Sequence, residues 1–249
     1  MIRFIIFLFC VTYQVQAFAS NCKPVIAVYP AWKHSQEVLT SLPWHRFTHI
    51  ALFGIYPDTA GNFESDSMNL LTEDVVKLAH MHGKKVILSI GGAGEASKAY
   101  RTIAADQQLR ENFASNAATY LKKYKLDGID IDWEYWTFQS ELGKGGNDPV
   151  ESNNLVKLLA AIRATLPKEA LLTTDIIAGS WLGEQYLPAI EKHVDFVNLM
   201  AFDFTGQWDG SPIDHHSNFK TFKQAIDYAI SKGFRSCFIT QNRVLLGVL

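Results

Sequence analysis

Three carboxylates stand at alternate positions in the run Asp127-Gly128-Ile129-Asp130-Ile131-Asp132-Trp133-Glu134-Tyr135. Residues two apart in an extended strand share a face. Asp130, Asp132 and Glu134 are therefore expected on one side, with Ile129, Ile131 and Trp133 on the other. Carboxylates crowded into one row of a low-dielectric site cannot all ionise cheaply. At least one is expected to keep its proton near neutral pH, the state a general acid needs. An exposed acidic edge strand is the plain alternative, and the apolar residues around the row speak against it. The chemistry on offer is proton transfer to and from a bond held above the row, with Glu134 as its outermost member.

Such a row works only on a rigid frame. Six apolar, β-rich runs supply candidate strands: Val25–Trp32, Thr48–Tyr56, Lys84–Gly92, Leu126–Trp136, Leu171–Gly179 and Asp195–Asp203. Continuous apolar runs suit strands buried on both faces, as in parallel sheets. Helical patterns lie between them over Thr72–His82, Asp106–Tyr124, Asp148–Leu166 and Asn218–Lys232. Asp148-Pro149 reads as a cap followed by proline at the first helical position, and Gly233 as a C-terminal stop. Six or seven β-α units in one chain favour an α/β TIM (β/α)8 barrel over a doubly wound sheet. Glu134 then falls at the C-terminal end of the fourth strand, where barrels carry their active sites. Arg243–Leu249 reads as the start of a seventh strand, so the expected barrel is incomplete at the C-terminus, with about six and a half units present and an open seam.

Arg3, the apolar run Phe4–Val11 and Ala17-Phe18-Ala19 together read as a secretory signal peptide over residues 1–19, leaving a barrel over residues 20–249. The apolar run is far shorter than the ~20 residues a membrane span needs, so a secreted, extracellular protein without membrane attachment is expected. Cleavage removes Cys10 and leaves Cys22 and Cys237, which could pair or stay as buried thiols. Lys+Arg is 23 against Asp+Glu 25 in 249 residues, a net charge of -2 that offers a nucleic acid nothing to hold. His80, His82, His215 and His216 have no H-E-x-x-H pattern or cysteine set around them, so no metal is expected. Gly92-Ala93-Gly94-Glu95-Ala96-Ser97 lacks the third glycine of a dinucleotide loop, and no cofactor is expected.

The acidic run resembles the D-G-x-D-x-D-x-E signature of the family 18 glycoside hydrolases, which include the chitinases. Ser89-Ile90-Gly91-Gly92 is similar to that family's S-x-G-G, and Met200-Ala201-Phe202-Asp203-Phe204-Thr205-Gly206 to its M-x-Y-D-x-x-G. The likeness covers about residues 24–249. It implies that Glu134 is the general acid and that the substrate's own 2-acetamido oxygen attacks the sugar carbon. It implies further that Asp132 orients the acetamido N–H, that Asp130 holds Asp132, and that the trio titrates as a unit. The implied partners are chitin or N-acetylglucosamine oligosaccharides. Tyr29 and Phe53 would form the floor, and Gly91, Gly92, Tyr135, Met200, Phe202, Asp203 and Trp208 the rest of the substrate site, with Trp208 stacking on a sugar ring. Two departures stand out. Phe202 replaces a tyrosine whose hydroxyl serves the acetamido oxygen in the family, and the family's eighth strand with its tryptophan is expected to fall after Leu249. A non-catalytic sugar-binding barrel and an endo-β-N-acetylglucosaminidase are the rival readings of the same motifs.

Overall fold

Each of the six apolar runs becomes a strand, trimmed at its ends: β1 (Ile26–Pro30), β2 (His49–Ile55), β3 (Lys85–Gly92), β4 (Gly128–Trp133), β5 (Leu171–Ile177) and β6 (Phe196–Met200). The computed structural model describes residues 24–63, 66–135, 149–178, 186–207, 211, 213–235, 239–240 and 243–245. The expected signal peptide, Cys22, Cys237 and Trp208 lie outside the described residues. Helices α1 (Gln36–Ser41), α2 (Asp66–Met81), α3 (Glu95–Ala105), α4 (Gln107–Tyr124), α5 (Pro149–Thr165) and α6 (Phe219–Ser231) fill the connections. Ser35, Asp106 and Asn218 cap α1, α4 and α6 by accepting backbone N–H groups at 3.1, 2.9 and 2.8 Å, which satisfies donors that a helix start leaves orphaned.

All strand pairs are parallel, and the sheet runs β7-β6-β5-β4-β3-β2-β1-β8, where β7 is Ile239–Thr240 and β8 is Arg243–Leu245. The barrel is incomplete, as expected: the two end strands, β7 and β8, are two and three residues long and, among the described residues, lie at opposite ends of the sheet order without pairing with each other. Ile239–Thr240 pairs with β6, while Arg243–Leu245 takes the eighth place, beside β1, not the seventh. Thr240 and Arg243 are three Cα steps apart, at most about 11 Å, so the sheet curls round until one short stretch reaches both edges. An apolar run carries the same pattern whichever edge it pairs with, so its place in the order was not readable from sequence.

Two apolar layers follow from the alternation. Inside the barrel, Ile26, Val28, Ala51, Ile87 and Phe196 pack together with Phe53 and Leu171. Outside, residues such as Ile50, Leu52, Leu88, Ile129, Ile131, Trp133, Leu172 and Val197 pack under the helices. Polar side chains staple the N-terminal ends of the strands. Asp127 accepts the Val86 N–H at 2.8 Å, Asp195 the Leu172 N–H at 2.8 Å, and Thr48 the Val25 N–H at 2.8 Å. Each residue precedes one strand and closes the start of the previous one. Asp127, the first acid of the sequence motif, therefore serves the frame at the end of the barrel away from Glu134. There it also bonds His80 at 2.9 Å.

Candidate active site

Strand β4 carries the row as its alternation predicts. Ile129, Ile131 and Trp133 pack outward under the helices, and Asp130 and Asp132, 1% and 3% exposed, occupy the inner face. Asp130 accepts hydrogen bonds from three other strands, its neighbours β3 and β5 and the next strand β6: Ser89 Oγ at 2.7 Å, Thr173 Oγ1 at 2.5 Å and Asn198 Nδ2 at 3.0 Å. A buried carboxylate is tolerable when donors surround it, and donors from three strands leave this one a single orientation. Ser89 and Thr173 are the direct register partners of Asp130, so sheet pairing alone delivers two of the three.

Glu134 follows the last residue of β4 and is half-buried. Its backbone N–H donates to Ser97 Oγ at 2.7 Å. Ser97 is fully buried in the first turn of α3 and donates its own hydroxyl hydrogen to the Gly92 carbonyl. One hydroxyl thus ties the end of β3 to the residue that carries the terminal acid. Nothing in the sequence marked Ser97 for this task. Ser97→Ala is expected to cost about 1–2 kcal/mol of stability through the buried N–H left without its acceptor. It should also slow turnover about tenfold or more as Glu134 loosens; urea melts and steady-state rates check both.

The phenol of Tyr186, which follows the fifth strand, donates to the Trp133 carbonyl at 3.4 Å. Its pKa is raised well above the ordinary tyrosine value by burial first, then by Tyr135, Glu134, Asp132 and Asp175. Tyr100 on α3 donates to the Ile90 carbonyl at 2.8 Å and is likewise raised by burial, then by Asp132 and Asp130. Both phenols stay protonated and act as donors. Asp175, itself 1% exposed on β5, is a fourth acid in this neighbourhood that the motif did not include.

The other expected residues divide. Phe53 lines the inside of the barrel, edge-on to Trp32 with ring centroids 5.6 Å apart. Trp32 is 61% exposed, an aromatic face at the mouth that sequence reasoning passed over. Tyr29 is out of phase by one residue. Its register partner is Leu52, it packs in the outer layer, and its hydroxyl meets His34 Nδ1 at 3.0 Å. The inner face of β1 belongs to Ile26 and Val28, so Tyr29 is not a floor residue. Tyr135 is also turned into the core, packed on Trp133 and Tyr186, with its hydroxyl 3.5 Å from Ser152 Oγ on α5. It supports the wall from behind. Gly91 and Gly92 end β3, both at positive φ, 117° and 126°.

Met200 is buried at the end of β6, on the face that Asn198 turns to Asp130. Beyond it, Phe202 stacks on His216 with centroids 6.2 Å apart, and Asp203 pairs with His216 Nδ1 at 3.1 Å. Asp203 sits at φ 54°, a left-handed conformation uncommon outside glycine that clusters at functional positions. The other histidines are separate: His82 stacks on Trp44 at 4.8 Å, and His80 bonds Asp127.

The sequence pattern described as glycosyl hydrolases family 18 matches residues 25–248. "Probable chitinase 2" of Drosophila melanogaster is 30% identical over 202 residues, 79% of this chain and 37% of that protein. "Endochitinase 1" of Metarhizium anisopliae is 34% identical over 170 residues, 64% of this chain and 36% of that protein. The chain thus spans little more than a third of either relative. Among solved structures, a chitinase from Bacteroides thetaiotaomicron superposes with a TM-score of 0.71 at 21% identity, over 88% of this chain and 66% of that one. A mutant Group II chitinase domain from Ostrinia furnacalis, in complex with penta-N-acetylchitooctaose, superposes with a TM-score of 0.72 at 24% identity, over 87% and 62%. These likenesses establish the barrel fold.

Proposed function

The chain belongs to glycosyl hydrolase family 18, and on that premise we propose that it hydrolyses β-1,4 N-acetylglucosamine linkages of chitin or its oligomers with retention of configuration. The observation that carries this reading is the graded row on β4: Asp130 and Asp132 buried, Glu134 half-buried past the strand end. Glu134 gives its proton to the glycosidic oxygen as the bond to C1 breaks. The acetamido oxygen of the same sugar closes on C1, so no protein nucleophile is needed. Asp132 accepts the acetamido N–H and faces the positive charge that develops on the ring. Water then opens the intermediate at C1, and its proton returns to Glu134.

Phe53 and Trp32 offer apolar faces to the C–H side of a pyranose. Phe202 contributes a ring without a hydroxyl, so it packs and does not donate. Residues 1–19 are proposed to be removed on export, which places the barrel outside the cell.

The test is incubation of the protein with the N-acetylglucosamine tetramer, with product anomers followed by NMR. The β anomer is expected to appear first. An α anomer appearing first, or tight binding of the tetramer with no product, overturns the assignment; the second outcome would mark a sugar-binding barrel.

A further inference from the structure

We propose that Asp175 is a positioning residue of this site: it shares one proton with Asp132 and, when protonated, donates the hydrogen bond that fixes the Asp132 carboxylate to receive the substrate amide. The inference rests on the substrate-assisted reading given above.

Placement comes from the sheet. Thr173, two residues before Asp175 on β5, donates to Asp130, so Asp175 shares the inner face. The β4–β5 register pairs Asp130 with Thr173 and Ile131 with Thr174. The pairing ends there; carried on by one step, the same register sets Asp132 level with Asp175 on the shared inner face. On the far sides, Asp132 pairs with Gly91 and Asp175 with Asn198. The level therefore reads Gly91, Asp132, Asp175, Asn198. Gly91 brings no side chain, so the lateral side-chain neighbour of Asp132 at this level is Asp175.

The two acids are 3% and 1% exposed. Like charges this close, shielded from water, do not both ionise; one proton stays between them. The groups around Asp175 do not change that balance. Asp132 on β4 and Glu134 just past its end lie beside it, with Asn198 and Met200 on β6 and Tyr186 in the segment after β5, while Asp130 and the Tyr100 phenol neighbour Asp132; among these described residues none is a cation. Glu134, Asp132 and Asp175 all act to raise the Tyr186 phenol, in keeping with their place on the same inner wall. Titration belongs to the Asp132–Asp175 pair, not to either member. The proton settles on Asp175 when the substrate arrives, because the amide N–H favours charge on Asp132.

Asp175→Asn and Asp175→Ala test this. The amide of Asp175→Asn donates as the protonated acid does, so kcat at the optimum should stay within about threefold of wild type. Asp175→Ala removes the donor and should lower kcat about 100-fold, with KM changed by no more than about threefold. An infrared carbonyl band of a buried protonated carboxyl at neutral pH should be present in wild type and in Glu134→Gln, and lost in Asp175→Asn. That band does not depend on turnover: wild type with the band and no hydrolysis would overturn the glycosidase reading alone. Wild-type kcat in Asp175→Ala, equal slowing in both variants, or an unchanged band in Asp175→Asn overturns the proposal. If Asp175→Ala fails to fold, Asp175→Asn and the band decide it.

Discussion

Glu134→Gln is expected to leave a folded protein that hydrolyses N-acetylglucosamine oligomers about 10³- to 10⁴-fold more slowly, the upper range for removal of a general acid. The substitution changes one side-chain oxygen to an amide and leaves the backbone N–H that bonds Ser97 untouched. Glu134 is half-buried at the end of its strand and is not part of the three-donor network around Asp130. The unfolding midpoint should therefore hold while kcat falls. KM should change far less, because the lost interaction belongs to the transition state. Oligomer binding by fluorescence or calorimetry, paired with kcat, checks the split. A kcat within tenfold of wild type would mean that some other group delivers the proton.

How much of this could be read without coordinates depended on whether a segment carries contrast between its faces. β4 alternates acid and apolar residues, so its inner face was legible, and with it Asp130, Asp132 and Glu134. β1 reads Ile-Ala-Val-Tyr-Pro and is buried throughout. With no polar partner to mark phase, a shift of one residue exchanges the two faces, and Tyr29 was assigned to the wrong one. β5 did carry a signal. Thr173 and Asp175 stand two apart in an apolar run, the same spacing as the acidic row, yet they matched no motif. Helix α3 holds Ser97 and Tyr100 and was not anticipated. Gly94, at φ 62°, stands at its N-terminus without a side-chain cap, so the usual start signal is missing.

The motif itself mixes tasks. Asp127 lies in the same acidic run as Glu134, yet it closes the start of β3 at the opposite mouth. Spacing along a strand shows which residues share a face, but not at which end of the barrel each one serves. That distinction needed the strand boundaries, and it separates residues whose loss should cost stability from those whose loss should cost rate.

Gly91→Ala is the second large effect, expected to destabilise the protein by about 3 kcal/mol or more and to abolish turnover in whatever fraction folds. Two costs add. Gly91 has φ 117°, where a side chain is strained, worth about 1–3 kcal/mol. A Cβ there would stand 2.1 Å from the Asp132 carbonyl oxygen, 2.9 Å from its carbon and 3.0 Å from Tyr100 Cε2. The carbonyl is backbone and cannot swing aside, and Tyr100 is fully buried with its hydroxyl on Ile90. Relief requires β3 and β4 to part at the level of Asp132, which adds about 1–3 kcal/mol of overpacking. It also displaces Asp132, the residue proposed to receive the substrate amide. Gly83→Ala is the matched control: φ is 66°, and nothing lies within 4 Å of the added carbon, so only the conformational cost of about 1–2 kcal/mol remains. Urea midpoints of the two variants separate strain from collision. If Gly91→Ala is no less stable than Gly83→Ala and still hydrolyses the tetramer, the close approach of β3 to Asp132 is not what shapes this site.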